Sequence, residues 1–258
     1  MFELSSQAVN QDARLALARI HPDDLPLVQA AAGRARKKGE TWQGEFRMQL
    51  PRAGERWFWS QAHPESQPDG SVLWHGFISD VTARRQAEED VRHLASHDSL
   101  TGLFNRNSLE HHLHRWLTRA DNQQDRLALL FIDLDHFKPI NDAHGHGVGD
   151  ELLVVVASRL QNAVREEDLV ARIGGDEFVV GLAPVDSIES AMAIAEEVRS
   201  QLAQPMQIRD LALQTTASIG VALYPDHGQN LAQLTEAADQ AMYRAKSAGR
   251  DQVFAASV

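Results

Sequence analysis

The sequence predicts an α+β (α/β) architecture: a short antiparallel sheet, a linker helix, then a domain whose central, mainly antiparallel sheet is covered by helices. Three observations lead there. Residues 1 to about 80 alternate apolar and polar side chains in stretches such as "WQGEFRMQL" (42–50) and "ERWFWSQA" (55–62), the period of half-buried strands. From about Val81 to His97 the spacing turns helical, with Ala87, Val91 and Leu94 four and three apart. After Leu100 helical and extended patterns follow one another in mixed order, as in a sheet with helices packed on it.

The elements follow in order. The turns "PRAGE" (51–55) and "QPDGS" (67–71) separate the early strands. Ala87, Val91 and Leu94 suit either a signalling helix in a short two-chain coiled coil or a single amphipathic linker. "SLEHHLHRWL" reads as a helix with Leu109, Leu113, Trp116 and Leu117 on one face, and its His111, His112 and His114 as a solvated face. "RLALLFIDLD" is a buried strand ending in acids, and "GDELLVVVASRLQNAV" a helix buried through Leu152, Leu153, Val156, Leu160 and Val164. "VARIGGDEFVVGL" (170–182) is a hairpin, then come a helix from about Asp186 to Ala203, a strand in "LQTTASIGVALYP" and a helix from about Leu231 to Ser247. The division expected is residues 1–80, a linker at 81–97, and a second domain at 98–258.

Composition narrows the function classes. The 258 residues are 43% hydrophobic, enough for real cores, and include no cysteine, so disulfides and thiolate metal sites are excluded. A bound metal must use oxygen or histidine ligands, which favours a hard cation. With 25 basic and 36 acidic residues the formal charge is −11, so diffuse attraction to nucleic acid or anionic membrane is not expected. No run is apolar and long enough to span a bilayer, and "MFELSSQAVN" lacks signal-peptide character, so a cytoplasmic location is the expectation.

Acids gather at strand ends and turns: Asp133 and Asp135 after "LLFI", Asp142 and Asp150 in "NDAHGHGVGD", and Asp176 beside Glu177 in the hairpin. Asp133 shares a strand face with Phe131 and Asp135, away from Ile132 and Leu134. Carboxylates brought together this way repel unless a divalent cation lies between them, the usual arrangement in nucleotide chemistry. Any one of these acids alone reads better as a solvated loop residue. Lys246 and Arg250 flank Gly249 at a helix end, where capping favours them anyway, and Asn141 with Asp142 reads also as a turn.

Taken together, "DSLTGLFNR" (98–106), "FIDLDHFKPIND" (131–142), "GHGVGD" (145–150), "RIGGDEF" (172–178), "SIGVALYP" (218–225) and "ADQAMYRAKSAGR" (238–250) resemble the GGDEF domain of diguanylate cyclases, a nucleotidyl-cyclase-like fold, in order and spacing. The resemblance covers residues 98 to 254 and implies condensation of two GTP into cyclic di-GMP with release of two pyrophosphates. It implies Mg²⁺ or Mn²⁺ held by Asp133, the Leu134 carbonyl and Asp176, with Glu177 as a further carboxylate. Either Asp176 or Glu177 is implied as the proton acceptor. Asn141 and Asp150 match the residues on the guanine edge, and His146 lies in the same segment. Lys138, Lys246 and Arg250 match the residues that hold the triphosphate, with backbone N–H groups at Phe137 and Lys138. Gly174 and Gly175 make the turn and leave room for the nucleotide. Asp150 keeps the acceptor that suits guanine, so GTP selectivity is expected.

"REED" places Arg165 and Asp168 three apart, five residues before Gly174, matching the family's RxxD inhibitory product site. One such domain holds one GTP, so the implied active state is a homodimer. "IHPDD", "WQGEFRMQLPRAGERWFWSQAHP" and "DGSVLWHGFISDVTARRQAEE" resemble the later part of a PAS domain, a partial sensor or dimerisation module. The rival reading is a catalytically silent GGDEF receptor for GTP or cyclic di-GMP, in which a broken signature is usual. Here Gly174 to Phe178 is intact.

Overall fold

The computed structural model describes Glu3, residues 14–123 and residues 125–257. The opening stretch "MFELSSQAVN" lies outside the described residues except for Glu3. The chain divides into two compact units, Met1–Arg92 and His93–Val258, each taken by itself below.

The first unit begins with a single helical turn, α1 (Arg14–Leu17), and helix α2 (Leu25–Lys38). Pro26 sits in the first turn of α2, where its missing N–H has no intrahelical partner to lose, and Gly39 ends the helix at φ 65°. Strands β1 (Trp42–Leu50), β2 (Gly54–Ser66) and β3 (Val72–Asp80) follow as an antiparallel sheet in that order. Alternation of side chains sends Phe46, Met48, Leu50 and Phe58 to one face, where they form a core with Ile20. Asp24 anchors α2 to β1 through a two-pronged contact with Arg47 at 2.6 and 3.0 Å, and that guanidinium lowers the Asp24 carboxyl to about 2. Helix α3 (Thr82–Ser96) starts in this unit, with the Arg85 guanidinium 3.8 Å from the centre of the Trp57 ring.

The second unit opens with α4 (Arg106–Gln123) and is built on a five-stranded sheet. Its central strand is β4 (Leu127–Asp135), flanked by β6 (Glu177–Leu182) and β9 (Thr216–Tyr224). The edges are β5 (Leu169–Gly174) and β10 (Val253–Ala255); all pairings are antiparallel except β10 with β9. Every residue of β4 is buried, yet its alternation sorts two cores. Ala128, Leu130, Ile132 and Leu134 pack with α6 (His146–Ala163) and α7 (Ile188–Leu202). Leu127, Leu129 and Phe131 pack with α4 and α8 (Leu231–Ser247).

Three elements of this second unit go beyond the sequence reading, as α1 and α2 do in the first. Helix α5 (Phe137–His144) occupies "FKPIND", so Asn141 and Asp142 are helical residues, not turn formers; Pro139 sits in its first turn, where a missing N–H costs nothing. A small hairpin of β7 (Met206–Ile208) and β8 (Leu211–Leu213) takes Leu213, and the strand expected from that residue begins at Thr216. The short β10 is the third. Of the histidine cluster, His111 and His114 are exposed, whereas His112 is half-buried with its ring 4.9 Å from that of Phe104.

Candidate active site

One end of the large sheet gathers most of the residues singled out above. Asp133 lies at the end of β4 in register with Glu177 across β6 and with Ser218 across β9. The turn between β5 and β6 consists of Gly175 and Asp176, with Gly174 paired to Glu177. Gly174 at φ 152° and Gly175 at φ 51° adopt backbone angles that side chains rarely tolerate, and a Cβ at either would point into open space. The turn is tied to β4 by the Leu134 N–H, which donates to the Asp176 carbonyl at 3.2 Å. Lys246, in the last turn of α8, places its ammonium 2.7 Å from Asp133 Oδ2.

Electrostatics at Asp133 follow from this crowding. Burial pushes its carboxyl above the usual range, Lys246 pulls it back, and the neighbouring Asp176 and Glu177 push it up again. The donor set is oxygen throughout and already attracts one cation, which fits a hard divalent ion. Among the described residues no three His, Asp or Glu side chains converge to hold a metal unaided.

Directly after β4, His136 turns the chain at φ 60°, and α5 begins at Phe137. The first N–H groups of α5, at Phe137 and Lys138, therefore sit beside the carboxylate cluster. Lys138 is exposed in that first turn. Asn141, further along α5, lies against the head of α6: a Cβ added at Gly149 would collide with its side-chain carbonyl. That oxygen, Asn141 Oδ1, is buried with no hydrogen-bond donor. His146 and Asp150 are exposed on the first turns of α6. Arg250, at φ 66°, is exposed just before β10.

Two contacts that the sequence did not single out position these groups. Arg172 reaches under the glycine turn, donating from Nε and Nη2 to the Gly175 carbonyl at 2.9 and 2.8 Å and pairing with Asp98 at 3.0 Å. Asp135, buried one turn of the pleat beyond Asp133, accepts from Thr216 Oγ1 (2.6 Å), Ser218 Oγ (2.8 Å) and the Asp251 backbone N–H (3.0 Å). It thereby fixes the backbone next to Arg250. The signals were present, an Arg inside "RIGGDEF" and a second Asp two residues after Asp133, but nothing in the spacing said which acid faces the site.

Arg165 and Asp168 are not part of this group. They precede β5 and so lie at its far end, roughly 17 Å away along the strand. The Arg165 N–H donates to Asp168 Oδ2 at 3.0 Å, which closes the turn. Burial raises the Asp168 carboxyl against the opposing pull of the Arg165 and Ala183 N–H groups.

A mainly antiparallel sheet that brings carboxylates, the Lys246 ammonium, the Arg172 guanidinium and the start of a helix to one end defines an α+β domain with a charged site at that end. The chain belongs to the GGDEF family: the model described as "Diguanylate cyclase, GGDEF domain" matches residues 95–252, and one described as "PAS fold" matches residues 1–78. An uncharacterized signaling protein of Caulobacter vibrioides is 47% identical over 174 residues, 67% of this chain and 22% of its own. The diguanylate cyclase TpbB of Pseudomonas aeruginosa is 46% identical over 170 residues, 65% of this chain and 39% of its own. The chain thus spans less than half the length of either relative. The crystal structure of the coiled coil and GGDEF domain of DgcB from Caulobacter crescentus, in complex with c-di-GMP, superposes with a TM-score of 0.61 at 31% identity, covering 68% of this chain and 93% of that one. No helix among the described residues is long and apolar enough to cross a membrane.

Proposed function

We propose that the second unit condenses two GTP into cyclic di-GMP and two pyrophosphates, working as a homodimer with one GTP per copy. The observation that carries this is the buried, unpartnered Asn141 Oδ1 packed against Gly149, on the helix whose first turns carry Asp150. A buried acceptor without a donor is costly, and guanine offers N1–H and N2–H₂ donors to these two side chains. In this reading Lys138, Lys246 and Arg250 hold the triphosphate, aided by the α5 N–H groups, and His146 contacts the substrate in the same segment.

In each half-reaction a ribose 3′-oxygen bonds to the α-phosphorus of the facing GTP, the bond to the bridging oxygen breaks, and pyrophosphate leaves. The hydroxyl proton passes to Asp176 or Glu177. Mg²⁺ or Mn²⁺ held by Asp133, the Leu134 carbonyl and Asp176, with Glu177 alongside, supplies the charge that acidifies the hydroxyl and offsets the leaving group. Gly174 and Gly175 keep the turn free of side chains where the nucleotide approaches.

Product inhibition at the Arg165–Asp168 turn is part of the same proposal. What supports it is a groove of about 380 Å³ that these residues line with His97, Phe104 and Gln161. Residues 1–80 act as a partial PAS dimerisation module and 81–97 as the helix between it and the cyclase domain, residues 98–258.

The test is incubation of the protein with GTP and Mg²⁺ over a range of protein concentrations, with separation of the nucleotides. Cyclic di-GMP and pyrophosphate are expected, lost in Asp176→Ala while that variant stays folded. Tight binding of GTP or cyclic di-GMP with no turnover at any concentration would make the chain a receptor instead.

A further inference from the structure

The groove beside the Arg165–Asp168 turn has an aromatic wall that the proposed reaction does not use. The rings of His97 and Phe104 lie 5.1 Å apart at 30°. Their backbones form an antiparallel bridge, and Phe104 bridges onward to Ala171 of β5, so the wall extends the sheet. Behind His97 the ring of His93 lies nearly parallel at 4.3 Å, and beyond Phe104 lies His112.

The groups facing this wall come from every neighbouring element. From the last turn of α3 comes His93, and from α4 come His112, His111 and Arg115. The turn before β5 brings Arg165, Glu166 and Asp168. Asp98 is adjacent in the chain but is engaged by Thr101 and Arg172. Ser96 Oγ lies 2.8 Å from His97 Nδ1, so the outer ring nitrogen, Nε2, is the one left to meet a ligand.

We infer that His97 is a proton-dependent contact for the anionic dinucleotide in this groove, so that product inhibition tightens as the pH falls. This rests on the reading of Arg165 and Asp168 as the product site. The rings of His97 and His93 stack face to face at 4.3 Å, so a charge on one would lie directly against the other. The phosphates of the product supply the missing counter-charge. Binding then takes up a proton, and a ligand whose binding takes up a proton binds more tightly as protons become more available. Phe104, with His97 on one side and His112 on the other, presents its ring edge to the groove as an apolar contact in either protonation state.

The experiment measures inhibition by added cyclic di-GMP at pH 8 and pH 6, each variant normalised to its own uninhibited rate. The native chain is expected to be inhibited about fivefold more tightly at pH 6, the scale of one partly exposed charge contact. His97→Phe keeps a ring in the wall but no proton, and its inhibition should change less than about twofold between the two conditions. His97→Gln serves as the second variant if the phenylalanine does not fold. His93→Phe should retain the pH response; loss of the response in that variant alone would move the proton to His93 and overturn the assignment. A native pH response in His97→Phe would overturn it as well. Arg165→Ala separates the two levels: if it is inhibited as the native chain is, the product-site reading itself is wrong. If Arg165→Ala escapes inhibition while His97→Phe behaves as native, only the role of His97 falls.

Discussion

Arg172 shows how much of the site depends on residues that never meet substrate. Its guanidinium joins the first turn of the domain, through Asp98, to the carbonyl of Gly175 in the turn that carries Asp176. The pair is largely enclosed, with the two side chains 13% and 23% exposed. Burial alone would raise the Asp98 carboxyl, but hydrogen bonds from Thr101 and Arg172 outweigh it and hold that carboxyl below the usual range. A carboxylate with a depressed folded value stabilises the fold above its unfolded value, near pH 4, and that contribution disappears as the pH falls through the folded value. The urea midpoint of the native chain should therefore fall more steeply between about pH 5 and about pH 3 than that of Asp98→Asn. Parallel slopes would show that the Asp98–Arg172 pair carries no such linkage.

At the scale of elements, the proposed base pocket lies at the corner between α5 and α6, where Gly149 packs tightly against Asn141. A methyl group there would meet the Asn141 side chain, whose displacement moves the unpaired acceptor. Gly149→Ala is expected to raise KM for GTP about tenfold with a smaller change in kcat, because a lost base contact weakens ground state and transition state alike. Steady-state kinetics distinguish this from a folding defect, which would lower kcat through the active fraction and leave KM in place. The same corner marks where sequence reading stopped. The long elements were legible because their apolar periods run over many residues: β4 with its acids, α6, α8 and the hairpin at Gly174–Gly175. Helix α5 was hidden because eight residues containing Pro139 give barely two turns of pattern. The β7–β8 hairpin was hidden because three-residue strands show no alternation, and its turn rests on Arg209 at φ 52°, a residue type that does not advertise a left-handed backbone. Within the site, the family resemblance pointed to Asp133, Asp176 and Lys246, which by residue type alone read as loop acids and a helix-end cation, and only the register separates Asp133, facing Glu177 and Lys246, from Asp135, consumed by Thr216, Ser218 and the Asp251 backbone.

For the whole molecule the decisive question is how two half-sites meet. On the proposed mechanism each copy supplies one half-site, so the reaction is second order in cyclase domains unless something holds them together. Helix α3 buries none of its residues, and Val91 and Leu94 are 65% and 59% exposed. With Ala87 they make a stripe at coiled-coil spacing, edged by Arg84, Glu88, Glu89 and Arg92. A stripe of this kind gains its stabilisation only when a second copy covers it, and two apolar side chains per helix supply a modest amount, roughly 1.5–3 kcal/mol for each one fully buried. Association should then be readily reversible, and specific activity should climb with protein concentration before levelling off. Replacing Val91 and Leu94 together by glutamate sets like charges across that seam, and the concentration for half-maximal activity should rise at least about tenfold while the plateau rate stays close to native. Sedimentation velocity on the same samples ties the shift to dimer loss. If the double variant's activity curve overlays that of the native chain while both form dimers, α3 is not the contact, and the pairing of half-sites must come from residues 1–80 instead.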